Sequence, residues 1–176
     1  VKEITELGAK AIGLNGKNNI IQTEKKQAEI DLGLVGHIVG INNESILEEL
    51  KKERIVVLLP MGKGKDKKTY NVNADEAAAQ IAASLEAEKL VLLTNVKGIL
   101  RNPEDPHSFL STLTTEEAGG LMQEGIVQQG MIPKVKACID ALESGVKKTH
   151  IIDARTPHGL LLEIFTDQGI GTEIIK

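Results

Sequence analysis

Aromatic residues are almost missing from this sequence. Its 176 residues include no tryptophan, and the aromatic side chains are Tyr70, Phe109 and Phe165. A core built from this composition has to be aliphatic. Surfaces that bind single-stranded nucleic acids stack bases on several exposed rings, so the scarcity of rings argues against that class of protein.

Basic charge, cysteine and long apolar runs are also scarce. Lysine and arginine number 21 against 25 acidic residues, so no basic excess exists to neutralise a nucleic-acid backbone, and we expect no nucleic-acid partner. The single cysteine, Cys138, cannot form an internal disulfide, which favours a reducing compartment such as the cytoplasm. No apolar run reaches the roughly 18 residues of a membrane span, and no secretory signal opens the chain, so we expect no membrane partner.

What is present is the composition of a folded domain. Hydrophobic residues make up 41% and charged residues 26% of the sequence, as in ordinary globular proteins. The length corresponds to about one domain, and we predict a single domain over 1–176. Because the chain opens on Val1 and not on methionine, we expect a processed chain or a fragment.

Apolar runs alternate with amphipathic segments along the chain. The runs RIVVLLP (54–60), KLVLLT (89–94) and THIID (149–153) lack polar alternation, which predicts strands buried on both faces. Helices are predicted at 44–53, 73–88, 114–124, 132–144 and 157–165. The third opens on the capping signature TTEE (114–117), and the fourth is started by Pro133 and ended by Gly145. Alternating strands and helices indicate an α/β fold, a three-layer α/β/α sandwich with a mainly parallel sheet.

Ligands of such sheets bind beyond the carboxyl ends of the strands, so the residues after each run are candidates. After the first run and a lysine-rich loop or hairpin come Asn71, Asn73 and Asp75, whose alternate positions allow them to converge. The alternative is that Asn73 caps the following helix and Asp75 is an acid in its first turn. The spacing alone leaves both open.

Two further segments have the residue types of an anion or nucleotide site. After the second run, Asn95–Leu100 places a polar residue, a lysine and a glycine at a strand end, which also suits a plain surface turn. Lys134 follows Gly130 and Pro133 at a predicted helix start, where a cation opposes the helix dipole unless an anion binds beside it. A solvated lysine is the alternative.

Other motifs fail on spacing. The stretch MGKGKDKKT (61–69) is not a P-loop, because Lys67 occupies the position of the second glycine. No pair of histidines has metal-ligand spacing, and Cys138 falls on an apolar helix stripe with Val135 and Leu142, as a core cysteine does. The sequence therefore predicts neither a metal site nor a nucleophilic triad.

Three segments, YNVNADEAAAQIA, KLVLLTNVKGIL and GIVQQGMIPKVKACIDAL, are followed by HIIDARTPHGLLLEIFTDQGIGTEI. In this order and spacing they resemble the carboxyl-terminal part of the acetylglutamate kinases, in the amino-acid kinase family, over essentially the whole chain. The resemblance implies ATP-dependent phosphorylation of the side-chain carboxylate of N-acetyl-L-glutamate, the second step of arginine biosynthesis. It also implies Mg²⁺ accompanying ATP and a homo-oligomeric full-length protein.

The resemblance assigns roles by position. Lys134 would stabilise the transferring phosphoryl group, Asp75 would orient the catalytic lysines, and Asn71 and Asn73 would bind acetylglutamate. The ATP site would comprise Thr94, Asn95, Val96, Lys97, Gly98, Ile99, Leu100, Ile126, Val127, Gln128 and Gly130. An effector arginine would be bound by His150, Glu163, Gly169, Gly171 and Thr172.

The chain also departs from the family. Asn95 stands where the family usually has aspartate, Gln129 where it has glycine, and Ala154 where it has glycine. The family's first strand with a second catalytic lysine, its glycine-rich acetylglutamate loop and its substrate-binding arginine have no counterpart here. We therefore expect the ATP-binding lobe with part of the acetylglutamate site, inactive in isolation. The alternatives are another amino-acid kinase or a truncated, non-catalytic nucleotide-binding or regulatory relative.

Overall fold

The computed structural model describes residues 1–127, 129–166 and 169–176. Contacts divide the chain into two compact units, Val1–Ala77 and Ala78–Lys176. The prediction of a single domain stays a prediction, since two contact units can belong to one domain. Within the described ranges, none of the helices combines the length and apolar character that crossing a bilayer requires.

The first unit pairs its strands in two sheets. Its elements are α1 (Lys2–Glu6), β1 (Ala11–Leu14), β2 (Ile21–Lys25), β3 (Gly36–Ile41), α2 (Glu44–Lys51), β4 (Ile55–Leu58), β5 (Met61–Gly64), β6 (Thr69–Asn71) and the start of α3 (Ala74–Ser84). Strands β1 and β4 run parallel, and the other sheet has the order β3-β2-β5-β6 with one parallel pair, β2 with β5. Of the predicted lysine-rich loop or hairpin, the hairpin is confirmed as β5 and β6.

Strand β4 is less buried than its sequence predicts. Ile55 is 48% exposed, and the rest of the strand is partly exposed. In the described part of the chain the hydrogen-bonded neighbour of β4 is β1, and a two-stranded sheet leaves much of each strand uncovered. The prediction that this run is buried on both faces is wrong.

The second unit is organised around a four-stranded mixed sheet. Its elements after α3 are β7 (Lys89–Thr94), β8 (Ile99–Leu100), β9 (Phe109–Leu110), β10 (Thr112–Thr114), α4 (Thr115–Gln123), α5 (Ile132–Glu143), β11 (Lys148–Asp153), α6 (Gly159–Phe165) and β12 (Thr172–Ile175). The sheet has the order β10-β12-β11-β7, in which β11 runs parallel to β7 and antiparallel to β12. The remaining pair, β8 with β9, is a short hairpin around a 3-10 turn at Pro106–Ser108.

Burial in this sheet follows the position of each strand. The central strand β11 is buried from Thr149 to Asp153, as predicted. The edge strand β7 leaves Leu93 55% exposed, so the same prediction is wrong for KLVLLT. An apolar run identifies a strand here, but the helices that pack on the strand decide whether its faces are covered. Strand β11 contacts α5 and α6, whereas β7 contacts α5.

Helix α5 supplies much of the core of the second unit. Its residues Val135, Cys138 and Leu142 are fully buried, together with Ile151 and Ile174 from the sheet. The prediction of a core cysteine is confirmed, and the core is aliphatic, as the scarcity of rings requires. Helices packed on a mixed sheet confirm the predicted α/β fold class.

The ends of α4 and α5 follow their sequence signals, whereas the start of α6 does not. The Thr114 hydroxyl accepts from the Glu117 N–H (3.1 Å) and the Glu117 carboxylate accepts from the Thr114 N–H (2.8 Å), a capping box at the start of α4. Helix α5 has Pro133 in its first turn and ends before Gly145, whose φ of +108° suits glycine. Helix α6 begins at Gly159, two residues later than predicted, because His158 has a left-handed φ of +57°.

Removing the cap of α4 should destabilise the protein measurably. We expect Thr114→Ala to lower the free energy of unfolding by about 1 kcal/mol, because the Glu117 N–H loses its acceptor, whereas Thr114→Ser should retain most of it. Urea unfolding measures the difference, with the exposed Ser111→Ala as the matched control. A Thr114→Ala loss no larger than that of the control would contradict the capping role.

Candidate functional site

An apolar pocket lies beside the segment that follows β7. Its volume is about 190 Å³, and its lining is Val96, Gly98, Ile99, Leu100, Pro103, Ile126, Val127 and Met131. Two segments that the sequence assigned to ATP, 95–100 and 126–128, thus come together, although Gln128 lies outside the described residues. A mostly apolar pocket with backbone polar groups at its wall is suited to a planar ring such as a purine.

Several predicted residues flank this pocket without lining it. Thr94 is buried at the end of β7, and its carbonyl accepts from the Ala154 N–H (2.8 Å). Asn95, Lys97 and Gly130 are exposed. The side chains of Asn95 and Lys97 and the backbone of Gly130 are therefore accessible to solvent.

Two pocket residues were missed by the sequence reading. Pro103 lies in the loop between β8 and β9, and no local signal marks it. Met131 stands between Gly130 and Lys134 in the segment GMIPK, so its position could have been predicted from that segment.

Lys134 lies in the first turn of α5, three residues after the pocket residue Met131. Its side chain is partly buried. The first turn of a helix carries backbone N–H groups without intrahelical acceptors, and the dipole favours an anion there. The predicted helix-start position of Lys134 is confirmed, and its role in catalysis stays a prediction.

Asp153 and Arg155 form an ion pair at the end of β11, beside the end of β7. Asp153 is the register partner of Thr94, and its buried carboxylate accepts from Arg155 Nε (2.9 Å) and Nη2 (2.8 Å) and from the Arg155 N–H (2.9 Å). These bonds, helped by the charge of Lys97, lower the pKa of Asp153 to about 2. The Asp153 carboxylate is therefore ionised throughout the neutral range. It lies at a strand end, where polar residues are expected to meet a ligand, but the sequence analysis did not name Asp153 as a candidate.

The predicted acceptor-site residues belong to the first unit. Asn71 ends β6, and its N–H donates to the Leu34 carbonyl (2.8 Å). The Asn73 side-chain oxygen accepts from the Glu76 N–H (3.0 Å), so Asn73 caps α3, and the capping alternative is confirmed for it. Asp75 lies in the first turn of α3. The side chains of Asn71 and Asn73 are exposed.

Four of the five residues predicted to bind an effector lie together at the Glu163 carboxylate. His150 Nδ1 lies 2.7 Å from Glu163 Oε1, while Glu163 Oε2 accepts from the N–H groups of Ile170 (2.6 Å) and Gly171 (3.0 Å). His150 and Glu163 are only 4% and 7% exposed. A Cβ at Gly169, whose φ is +55°, would lie 3.1 Å from Glu163 Oε2.

The charge of Glu163 depends on these partners. Burial disfavours its ionised form most strongly, but the hydrogen bonds from the Ile170 N–H, His150 and the Gly171 N–H together outweigh burial and hold the pKa of Glu163 below its usual value. His150 Nε2 is buried without a hydrogen-bond partner among the described residues. Glu163 is therefore a buried carboxylate that is held by the backbone N–H groups of Ile170 and Gly171 and by His150.

Thr172, the fifth predicted effector residue, uses its hydroxyl elsewhere. The oxygen accepts from the Ile99 N–H (2.9 Å), and the hydroxyl donates to the Leu110 carbonyl (2.7 Å). Its side chain thus contacts the pocket segment, not the Glu163 carboxylate. In the described ranges, no three His, Cys, Asp or Glu side chains come together as a metal site.

Solved structures share the fold. N-acetylglutamate synthase from Neisseria gonorrhoeae, complexed with coenzyme A and L-arginine, is 30% identical with a TM-score of 0.83, over 96% of this chain and 38% of that one. Carbamate kinase from Giardia lamblia bound to AMP-PNP has a TM-score of 0.70 over 99% of this chain and 65% of that one. At 18% identity the second likeness concerns the fold alone.

Sequence relatives are closer. The acetylglutamate kinase of Petrotoga mobilis is 53% identical over 180 residues, covering 99% of this chain and 60% of that protein. The acetylglutamate kinase of Caldanaerobacter subterraneus is 52% identical over 177 residues, covering 100% and 59%. The chain thus spans about three-fifths of the length of these relatives. The pattern of the amino acid kinase family matches residues 1–153, and the chain belongs to that family.

Proposed function

We propose that this chain is the nucleotide-binding part of an acetylglutamate kinase. Such an enzyme transfers the terminal phosphoryl group of ATP to the side-chain carboxylate of N-acetyl-L-glutamate, the second step of arginine biosynthesis, here in the cytoplasm. The observation that carries the proposal is the pocket itself: Val96, residues 98–100 and residues 126–127 line it next to the first turn of α5. The names of the curated relatives support the same reaction.

The proposed division of labour follows from the chemistry of phosphoryl transfer. The reaction requires positioning and positive charge around the transferred group more than covalent catalysis. The apolar pocket would take the purine ring. The N–H groups of the first turn of α5 and the cation of Lys134 would lie along the phosphates, with Mg²⁺ entering as part of the nucleotide substrate.

The acceptor side of the proposal rests on the first unit. Asn71 presents an exposed carboxamide at the end of β6, which can donate to a carboxylate or an acetyl oxygen. Asn73 already uses its oxygen to cap α3, which leaves its NH₂ group to face acetylglutamate. Asp75 would orient catalytic lysines. Since the chain spans about three-fifths of its curated relatives, we propose that further acceptor residues, and the contacts of a homo-oligomer, lie in a longer protein.

An arginine effector is the finer part of the proposal. Among the described residues, Glu163 accepts hydrogen bonds from the Ile170 and Gly171 N–H groups and lies against His150 Nδ1. A carboxylate has about four acceptor positions, and the proposal assigns a further one to a guanidinium. The related gonococcal synthase was crystallised with L-arginine. Feedback inhibition by the pathway's end product would follow from binding at this carboxylate.

The chain alone should bind nucleotide without catalysing transfer. Holding both substrates together supplies up to roughly 7–11 kcal/mol of a two-substrate barrier, and this chain carries only part of the acceptor site. Calorimetric titration with ADP and ATP should show binding, while a coupled assay with acetylglutamate should show no turnover. Clear turnover would mean that the catalytic groups are misassigned, and absence of nucleotide binding would contradict the proposed pocket.

Lys134 should matter to the rate more than to nucleotide affinity. In a full-length protein containing this chain, Lys134→Ala should lower kcat by about 10²–10³-fold, the usual loss of one preorganised charge. The KM for ATP should change little, because the interaction strengthens mainly in the transition state. Steady-state kinetics measure both, with the exposed Lys136→Ala on the same helix as the control. An unchanged kcat would assign Lys134 to the solvated helix surface.

The effector proposal has its own test. L-arginine should inhibit the full-length enzyme, and Glu163→Gln should raise the half-inhibitory concentration by on the order of 10-fold or more, because a charged hydrogen-bond acceptor is lost. Glu173→Gln, a carboxylate paired with Lys148 on the same sheet, serves as the control. A rate that saturating arginine leaves unchanged would rule out the effector site.

A further inference from the structure

We infer that Thr172 is a positioning residue for the nucleotide pocket, an inference that rests on the function proposed for that pocket. Its hydroxyl joins three strands: it sits at the start of β12, accepts from the N–H of Ile99 in β8 and donates to the carbonyl of Leu110 in β9. Ile99 lines the pocket, and its amide is buried. The Thr172 hydroxyl thus connects the wall of the pocket to β12 of the four-stranded sheet.

The packing at Gly98 shows how closely the pocket wall approaches Thr172. A Cβ at Gly98 would lie 2.5 Å from Thr172 Oγ1 and 2.8 Å from Phe109 Cε2, and its φ of +147° also requires glycine. Only a residue without a side chain lets the segment come near enough for Ile99 to reach the hydroxyl. Gly98, Ile99 and Thr172 therefore form one interlocked contact.

Thr172 is itself held in place from the other side. The two residues before it donate their N–H groups to Glu163, whose second oxygen lies against His150 of β11. A Cβ at Gly171 would overlap the Ile151 carbonyl, so the backbone lies directly on β11. The hydroxyl is consequently presented from a rigid support and has little freedom to follow a displaced pocket wall.

Loss of the hydroxyl leaves the buried Ile99 N–H without an acceptor, and the pocket wall should loosen. Thr172→Val keeps the shape of the side chain. In this chain it should accelerate hydrogen exchange at the Ile99 amide and raise the Kd for ADP roughly 3–10-fold, the equivalent of one hydrogen bond. Thr172→Ser restores a hydroxyl and should recover both properties. Thr172→Ala is a second variant in case valine prevents folding.

Thr149→Val is the matched control. Thr149 is equally buried on the neighbouring strand, and its hydroxyl donates to the Ile174 carbonyl (3.4 Å) with no link to the pocket. It should lower stability without changing the Ile99 amide or the Kd for ADP. The inference would be overturned if the Ile99 amide exchanged no faster in Thr172→Val and Thr172→Ala than in Thr149→Val, or if those two Thr172 variants left the Kd for ADP unchanged. If the unaltered chain binds no ADP, the proposed function fails, and amide exchange alone then decides whether Thr172 holds the wall.

Discussion

The candidate site of the second unit depends on the central position of β11. This strand pairs with β7 on one side and with β12 on the other, and its residues are buried on both faces. The parallel pairing sets Asp153 beside Thr94 at one end, and the antiparallel pairing sets Thr172 beside Ile151. Because β12 runs antiparallel to β11, its first residue, Thr172, contacts the segment that follows β7.

The site separates apolar contact from charge. The pocket wall is formed mainly by aliphatic side chains, whereas Lys134, Lys97 and the Asp153–Arg155 pair lie on helix starts and strand ends. A nucleotide has the same division, with an apolar ring at one end and phosphates at the other. Affinity for the ring and stabilisation of the transferring phosphoryl group can therefore reside in different residues, which is why Lys134 is expected to act on the rate.

Local signals predicted local structure well. The capping box at Thr114, the proline and glycine that bound α5, and the core position of Cys138 all follow from neighbours in the sequence. The exposure of Ile55 and Leu93 did not follow, since an apolar run does not reveal which helices will cover the two faces of the strand. The contact of Thr172 with Ile99 joins residues far apart in the chain, so no spacing pattern could indicate it.

The central claim is that a nucleotide binds in the pocket lined by Val96, residues 98–100, residues 126–127 and Met131. Titration of isotopically labelled chain with ADP, followed by amide chemical shifts, tests it most directly. The account predicts saturable shifts concentrated at Gly98, Ile99, Val127 and the first turn of α5, with the exposed tip of the β5–β6 hairpin at 65–68 unaffected. Saturable shifts confined to other surfaces, or none at all, would contradict it.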